Sequence, residues 1–292
     1  MTQTVKAYAK INLHLDVTGI RDDGYHSVET VMQTVSLCDS VKVSLTDSGE
    51  IECRCNIDGL PTDERNIAVR AARLFFDSAG RSEGALVEIE KSIPMAAGLA
   101  GGSADAAATL KALNLLCGEV MSIEQLCDLG ARLGADVPFC IVCGSAYTDG
   151  RGDVIHEFSG LPEDTVLLVA CGGEGVSTPW AYGLMDRVHN RFEGYEPKGT
   201  EELKLALETG SSGEFVKHLF NIFETPVIDR RPVAAQIKST MLSCGALGAM
   251  MSGSGPSVFG VFEGRESAER AESEITALGY FAAICHPNYE KY

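Results

Sequence analysis

The sequence predicts a mixed α+β fold, and three observations carry that prediction. Residues 10–17 alternate, with Ile11, Leu13, Leu15 and Val17 on one side and Lys10, Asn12, His14 and Asp16 on the other, the period of a strand. Ser103 to Leu116 is rich in Ala and Leu, has no Pro or Gly, and reads as a helix. From about residue 160 the texture repeats as a second block, opening on the apolar strand Val166-Leu-Leu-Val-Ala170. A chain of 292 residues has room for one large or two ordinary domains.

The elements follow in order. Arg21-Asp-Asp-Gly24-Tyr25-His26 is a turn by its Asp-Gly pair, and Val28 to Leu37 is a second strand. Val41 to Leu45 and Ile51 to Ile57 both alternate and, joined across Asp47-Ser-Gly49, predict a hairpin. Asn66 to Ser78 carries Ile67, Ala71, Leu74 and Phe75 at helical spacing and is stopped by Gly80. Leu86 to Glu90 is a short strand, with Val87 and Ile89 on one side. Ser122-Ile-Glu-Gln125 has the residue types of a capping box and opens a helix that Gly134 closes. Ala135-Asp136-Val-Pro138 breaks that pattern and starts a new element. In the second block Ser177-Thr178-Pro179 is a turn or helix start, and Arg191 to Gly213 is polar and Gly-rich, a mobile connector by composition. Two helical stretches and a strand-rich segment finish the chain, with Gly253-Ser254-Gly255-Pro256 between Met250-Met251 and Val258 to Phe262. There is no internal repeat or low-complexity run.

Composition excludes several classes of function. With 45% hydrophobic and 22% charged residues the chain has the make-up of a globular protein. Lys+Arg 24 against Asp+Glu 41 leaves −17, which repels nucleic acid and anionic membranes alike. An anionic substrate would need local positive charge or Mg²⁺. The 10 Cys are scattered, and with no signal peptide in front they read as reduced thiols of a cytoplasmic protein. Cys140-x-x-Cys143 and Cys53-x-Cys55 lack a second pair at a zinc spacing, so no zinc site is expected. No run of 18 apolar residues spans a membrane.

The chain is organised around Lys91-Ser-Ile-Pro-Met-Ala-Ala-Gly-Leu-Ala-Gly-Gly-Ser-Ala-Asp-Ala-Ala107. Gly98, Gly101 and Gly102 with Ala96, Ala97 and Ala100 leave few side chains, so a ligand can approach the backbone. Running into a helix start, the stretch aims free N–H groups and the positive dipole end at its ligand, which suits phosphate. A tight turn with glycines serving only packing is the competing account. There is no Walker A Gly-Lys-Ser/Thr, no G-x-G-x-x-G spacing, and neither His-Arg-Asp nor Asp-Phe-Gly.

Pro94-x-x-x-Gly98-Leu-x-Gly-Gly-Ser103 resembles, residue for residue, the second motif of the galactokinase, homoserine, mevalonate and phosphomevalonate (GHMP) kinases. Ala9-Lys10-Ile-Asn12-Leu13 resembles their first motif and Met251-Ser-Gly253-Ser-Gly255-Pro-Ser257 their third. The resemblance implies a two-domain fold. Residues 1–158 would form a ribosomal-protein-like βαβ domain with the ATP loop and catalytic residues, and 159–292 a C-terminal α/β sandwich. Arg21-x-x-Gly-Tyr-His26 and Leu133-Gly-Ala-Asp136-Val-Pro138-Phe narrow the resemblance further. They imply an ATP- and Mg²⁺-dependent kinase for the hydroxyl of a cytidine-diphosphate sugar alcohol, in non-mevalonate isoprenoid synthesis. The metal ligands and oligomeric state are not readable from the sequence.

A kinase acting on an alcohol must take the hydroxyl proton and neutralise a phosphoryl group in flight. A carboxylate beside an ammonium can do both, and Asp136 and Lys10 match the family's catalytic pair. Taken alone, Asp136 would be an N-cap before Val-Pro and Lys10 a solvated strand residue. The resemblance implies that Tyr25 and Tyr182 sandwich the cytosine while His26 reads it, and stacking on aromatic faces suits a base without its partner. It also implies that Asn12 and Thr178 hold the rest of that substrate. For ATP it implies Asn66, Lys91 and Met95 at the adenine, and Pro94, Met95, Ala96, Ala97, Gly98, Leu99, Ala100, Gly101, Gly102 and Ser103 along the phosphates. Gly253 and Gly255 are expected to form the cleft, and Asp105 to offset the helix dipole. Two rivals remain: another GHMP kinase of homoserine or mevalonate type, which Gly24-Tyr25-His26 argues against, and a non-catalytic nucleic-acid-binding module, which the charge, Lys10 and Asp136 argue against.

Overall fold

The computed structural model describes residues 1–150, 154–189, 192–209 and 213–290. Two long strands dominate it: β1 (Thr2–Ile20) and β2 (His26–Thr46) pair antiparallel around the turn at 21–25. Both predicted strands of 28–45 are thus one continuous β2. The predicted hairpin does not form. β3 (Ile51–Cys55) lies parallel to β4 (Gly84–Glu90), and β4 lies between β3 and β2. Alternation specifies a strand but not its partner. Val87 of β4 sits opposite Val43 on one side and Cys53 on the other, so the apolar middle of the sheet is better closed with β4 inside.

The connection from β3 to β4 runs through α1 (Ile67–Ala79), a βαβ unit. With α2 (Gly101–Leu116), α3 (Ile123–Leu133) and α4 (Val137–Val142), α1 covers one sheet face, burying Ala71, Phe75, Leu110 and Leu126 against Val41, Val43, Val87 and Ile89. The predicted capping box is present at Ser122 and Gln125. Helix α2 starts at Gly101, two residues before the predicted start. β5 (Ser145–Asp149) extends the sheet from β2, and β6 (Val154–Glu157) pairs with β5.

The second block forms a four-stranded antiparallel sheet in the order β11 (Phe281–Cys285), β7 (Val166–Cys171), β10 (Val258–Phe262), β9 (Gly248–Met251). α8 (Pro232–Ser243) and α9 (Arg265–Ala277) cover one face of it. Its other face meets the first sheet, where Leu167, Val169 and Phe259 pack with Ile11, Leu13 and Val31. Buried on both faces, β7 is apolar throughout rather than alternating. The same holds at β1, whose polar residues Lys10, Asn12, His14 and Asp16 are buried too. The block also lends the larger sheet a two-residue strand, β8 (Phe220–Asn221), parallel to β1 at His14 and Leu15.

The connector at 191–213 is tied down, against its composition; of it, 191 and 210–212 lie outside the described residues. Asp16, fully buried, accepts from the Tyr195 hydroxyl at 2.8 Å and the Lys198 backbone N–H at 2.8 Å. Helix α6 (Glu201–Glu208) buries Leu203 and Leu207, one turn apart.

Candidate active site

A cavity of about 520 Å³ opens between the two blocks. Its lining includes Lys10, Asn12, Asn66, Lys91, Asp136, Thr178, Tyr182, Gly253 and the unbroken run Pro94 to Ser103. Three predicted site residues, Tyr25, His26 and Gly255, are not among its lining.

The glycine stretch curls because three alternate residues, Ala96, Gly98 and Ala100, take left-handed φ of 51°, 79° and 56°. For the two alanines that conformation costs on the order of 1 kcal/mol or more each, strain of the kind found at functional sites. Ala100 is the N-cap of α2 and supplies no side-chain hydrogen bond, so the first amides of the helix face the cavity without a side-chain cap. The third motif braces this loop from behind. A Cβ on Gly98 would collide with the Ser252 carbonyl oxygen, and one on Gly253 would come within 2.8 Å of the Gly98 carbonyl oxygen. Gly253 therefore serves close backbone packing. Gly255 packs on Met251. Gly101 has an ordinary φ, and a Cβ there would press on Ile93 Cγ2 at 3.1 Å and Lys91 Nζ at 3.2 Å. Its missing side chain thus serves packing under the loop as well as ligand approach.

Lys10 and Asp136 meet in the cavity, Nζ to Oδ2 3.9 Å. The Lys10 side chain is 5% exposed and that of Asp136 39%. Asp136 does stand at the N-cap of α4, but its carboxylate makes no capping hydrogen bond, which leaves it for other work. Lys10 Nζ donates to Asn12 Oδ1 at 2.7 Å, and Asn12 Nδ2 donates to Thr30 Oγ1 at 2.8 Å.

Two of the residues assigned to adenine have demanding structural work. Asn66 caps α1, its Oδ1 accepting from Ala68 N at 2.9 Å and its Nδ2 donating to Pro61 O at 2.8 Å. The Lys91 ammonium is held between the carboxylates of Asp39 and Asp105, the latter at 2.8 Å, with the side chain 4% exposed. Lys91 also borders the cavity, with its ammonium committed to these carboxylates. Asp105 is accordingly no dipole compensator in the first turn. Burial and the nearby Asp39 raise its carboxyl to about 7, Lys91 opposing, and its Oδ1 is buried without a partner. Met95, 47% exposed, is free to meet a ligand.

At the opposite end, His26 stands on Tyr182 with ring centroids 4.7 Å apart, and burial pushes the Tyr182 phenol up. Tyr25 is 61% exposed at the mouth of the β1–β2 turn. Sequence reasoning missed three neighbours. Asp186 Oδ1 lies 2.7 Å from His26 Nε2, Phe192 packs edge-on against the His26 ring, and Thr30 supports Asn12. Asp186 carried a readable signal, since it follows Tyr182 by four residues on α5 (Thr178–Val188) and shares its face. Thr178 Oγ1 reaches Ser254 Oγ at 3.3 Å, joining α5 to the third motif.

Among the described residues no cluster of three or more His, Cys, Asp or Glu could hold a metal ion, all ten cysteines are free, and no helix is long and apolar enough to cross a membrane.

The family profile for the GHMP kinases N terminal domain matches residues 66–144, and that for GHMP kinases C terminal matches 203–280. The 4-diphosphocytidyl-2-C-methyl-D-erythritol kinase of Pelobacter propionicus is 44% identical over 282 residues, 96% of this chain and 97% of that protein. The enzyme of the same name from Caldicellulosiruptor saccharolyticus is 40% identical over 93% of this chain and 92% of its own. A crystal structure of 4-(cytidine 5'-diphospho)-2C-methyl-D-erythritol kinase superposes with a TM-score of 0.79 at 32% identity, covering 98% of this chain and 100% of that one. Homoserine kinase from Cytophaga hutchinsonii, at 20% identity and a TM-score of 0.76 over 99% of this chain and 96% of its own, shares the fold. The chain therefore belongs to the GHMP kinases, and among them to the small-molecule kinases of the 4-diphosphocytidyl-2-C-methyl-D-erythritol kinase family.

Proposed function

We propose that the protein transfers the terminal phosphoryl group of ATP to the 2-hydroxyl of 4-diphosphocytidyl-2-C-methyl-D-erythritol. The observation that carries this reading is the Lys10–Asp136 pair in a cavity lined by the curled glycine loop and by Tyr182, on which the His26 ring stands. Asp136 takes the proton of the substrate hydroxyl as that oxygen attacks phosphorus, and ADP departs. The Lys10 ammonium steadies charge on the attacking oxygen and the phosphoryl group. The loop amides at 96–103 receive the ATP phosphates, which lie at the positive end of α2. Tyr25 and Tyr182 enclose the cytosine, His26 reads its edge, and Asn12 and Thr178 hold the sugar alcohol and diphosphate. Residues 1–158 supply the loop and the reacting pair, and 159–292 supply Thr178, Tyr182 and the brace of the third motif, matching a division into two domains.

Mg²⁺ fits as an ion carried by the nucleotide rather than a resident one. Phosphate oxygens and waters provide most of its ligands in such sites, and Asp136 and the Ser103 hydroxyl lie in the same cavity. When bound, it neutralises charge on the transferring group. Ten free thiols suit a reducing cytoplasm.

The test is to incubate the protein with ATP-Mg and a panel of alcohols while following ADP release. The cytidine-diphosphate substrate should be turned over far faster than homoserine or mevalonate. Equal or greater turnover of either would redirect the assignment within the family.

A further inference from the structure

A hydrogen-bond chain runs along the cavity wall from Thr30 through Asn12 to Lys10, and its direction is fixed atom by atom. Thr30 of β2 places its Oγ1 2.5 Å from the backbone carbonyl of His14. A carbonyl only accepts, so the single hydroxyl hydrogen of Thr30 is committed there. Toward Asn12, 2.8 Å away, the hydroxyl can then only accept. Asn12 must turn its NH₂ to Thr30, and its Oδ1 consequently faces Lys10, whose ammonium only donates, at 2.7 Å. The requirement from Lys10 and the requirement from Thr30 select the same one of the two amide orientations. All three side chains are largely buried, with Lys10 at 4%, Asn12 at 3% and Thr30 at 3% exposure, and each borders the cavity.

We infer that Thr30 is a positioning residue: by taking the Asn12 NH₂ it holds, together with Lys10, the amide whose Oδ1 anchors the Lys10 ammonium opposite Asp136. This rests on the reading of Lys10 and Asp136 given above. With one ammonium hydrogen spent on Asn12, Lys10 keeps two, for Asp136 at 3.9 Å and for the substrate oxygen. Asn12 lines the cavity and has one amide hydrogen left. It therefore offers the substrate a donor, which suits the attacking oxygen as it loses its proton and gains charge. Without the Thr30 hydroxyl, Lys10 alone would hold the Asn12 amide, and the Asn12 NH₂ would lose its partner. The amide would then be free to tilt and carry the Lys10 ammonium off its station.

Thr30→Val keeps the β-branched shape of a strand residue and removes the hydroxyl. The expected result is a kcat lower by roughly 10- to 100-fold, the scale of a small misplacement of a reacting group. The KM for ATP should stay within about twofold, because the glycine loop is untouched. Thr30→Ser restores the hydroxyl and should recover most of kcat. Should Thr30→Val melt too low for assay, Thr30→Cys supplies a thiol that is weak as donor and acceptor, and its kcat should fall between valine and serine. Wild-type kcat in the valine or cysteine variant overturns the inference. So does a loss of kcat that serine fails to restore while its melting temperature matches wild type. A wild-type protein that releases no ADP with the cytidine substrate would count against the proposed function instead, and that control is run first.

Discussion

The two ends of the cavity are built from different material. The end proposed for phosphate is backbone: a loop bent by Ala96, Gly98 and Ala100, braced by Gly253 against Gly98, with helix amides uncapped by any side chain. The end proposed for cytidine is made of side chains, with His26 backing Tyr182, Asp186 on His26 and Phe192 against the same ring. A backbone site must come from one contiguous stretch with bare Cα positions, because that is how amides converge on a phosphate. A side-chain site can draw on distant segments, here the β1–β2 turn, α5 and the connector. The first end should thus fail through geometry and stability, and the second through affinity for one ligand.

Asp136 lies between the ends and carries the largest expected effect. Asp136→Asn keeps the shape and removes the base, so kcat should fall by about 10²–10⁴ while melting stays unchanged. Near-normal turnover would refute its role. Next comes the phosphate end. Gly98→Ala places a Cβ on the Ser252 carbonyl at a left-handed φ, and should cost about 3 kcal/mol or more in stability and weaken ATP as well. Gly102→Ala, where the Cβ meets only Ile67 Cγ2 at 3.6 Å, should leave both nearly intact. If the two alanines behave alike, the loop is not braced from behind.

At the cytidine end, Tyr25→Ala should weaken the cytidine substrate by about 1–3 kcal/mol, a factor of roughly 5 to 150. Paired titrations with that substrate and with ATP should show the second unchanged. Comparable loss of both ligands would make Tyr25 a packing residue of the turn. The smallest effect belongs beneath the loop. Burial and Asp39 raise the Asp105 carboxyl from its ordinary 3.8 to about 7. As pH rises from about 4 the unfolded chain ionises first, so the stability contributed by protonated Asp105 is present at lower pH and lost as pH rises through about 7. Asp105→Asn lacks this titration. Its melting temperature relative to wild type should therefore climb between pH 5 and pH 8, by about 2–4 °C for each kcal/mol released. Parallel melting curves across that range would show that the carboxyl titrates elsewhere.

The same contrast explains what was legible in the sequence. The glycine stretch, the capping box at Ser122 and the strand at Lys10–Val17 were readable because each is specified by neighbours in the chain. The hairpin was misread because strand alternation is silent about partners, and β4, which begins 38 residues after β2 ends, comes back to lie beside β2. The family resemblance implies adenine for Lys91, yet its ammonium answers to Asp39 and Asp105, separated from it by 52 and 14 residues. Thr30 and Phe192 gave no local signal, since a threonine in a strand and a phenylalanine in a polar connector become meaningful only once folding sets them against Asn12 and His26. Asp186 could have been paired with Tyr182 by helical spacing, but nothing local pointed it at His26.

The outer edge of β1 has a consequence for how this chain can change in length. Its N–H and C=O groups are taken up in order by three visitors: Lys10 N by the Leu99 carbonyl at 3.2 Å, Asn12 N by the Ser252 hydroxyl at 3.3 Å, and the Leu15 carbonyl by Ile222 N at 3.0 Å. The strand acts as a ruler on which the phosphate loop, the third motif and β8 are each parked at a fixed mark. Inserting or deleting one residue between 10 and 15 would turn every side chain beyond it to the other face and slide at least one visitor off its mark. No single compensating change elsewhere could restore all three. Growth and trimming are accordingly confined to places off the ruler, such as the exposed tip at 47–49, where an added residue touches none of these contacts.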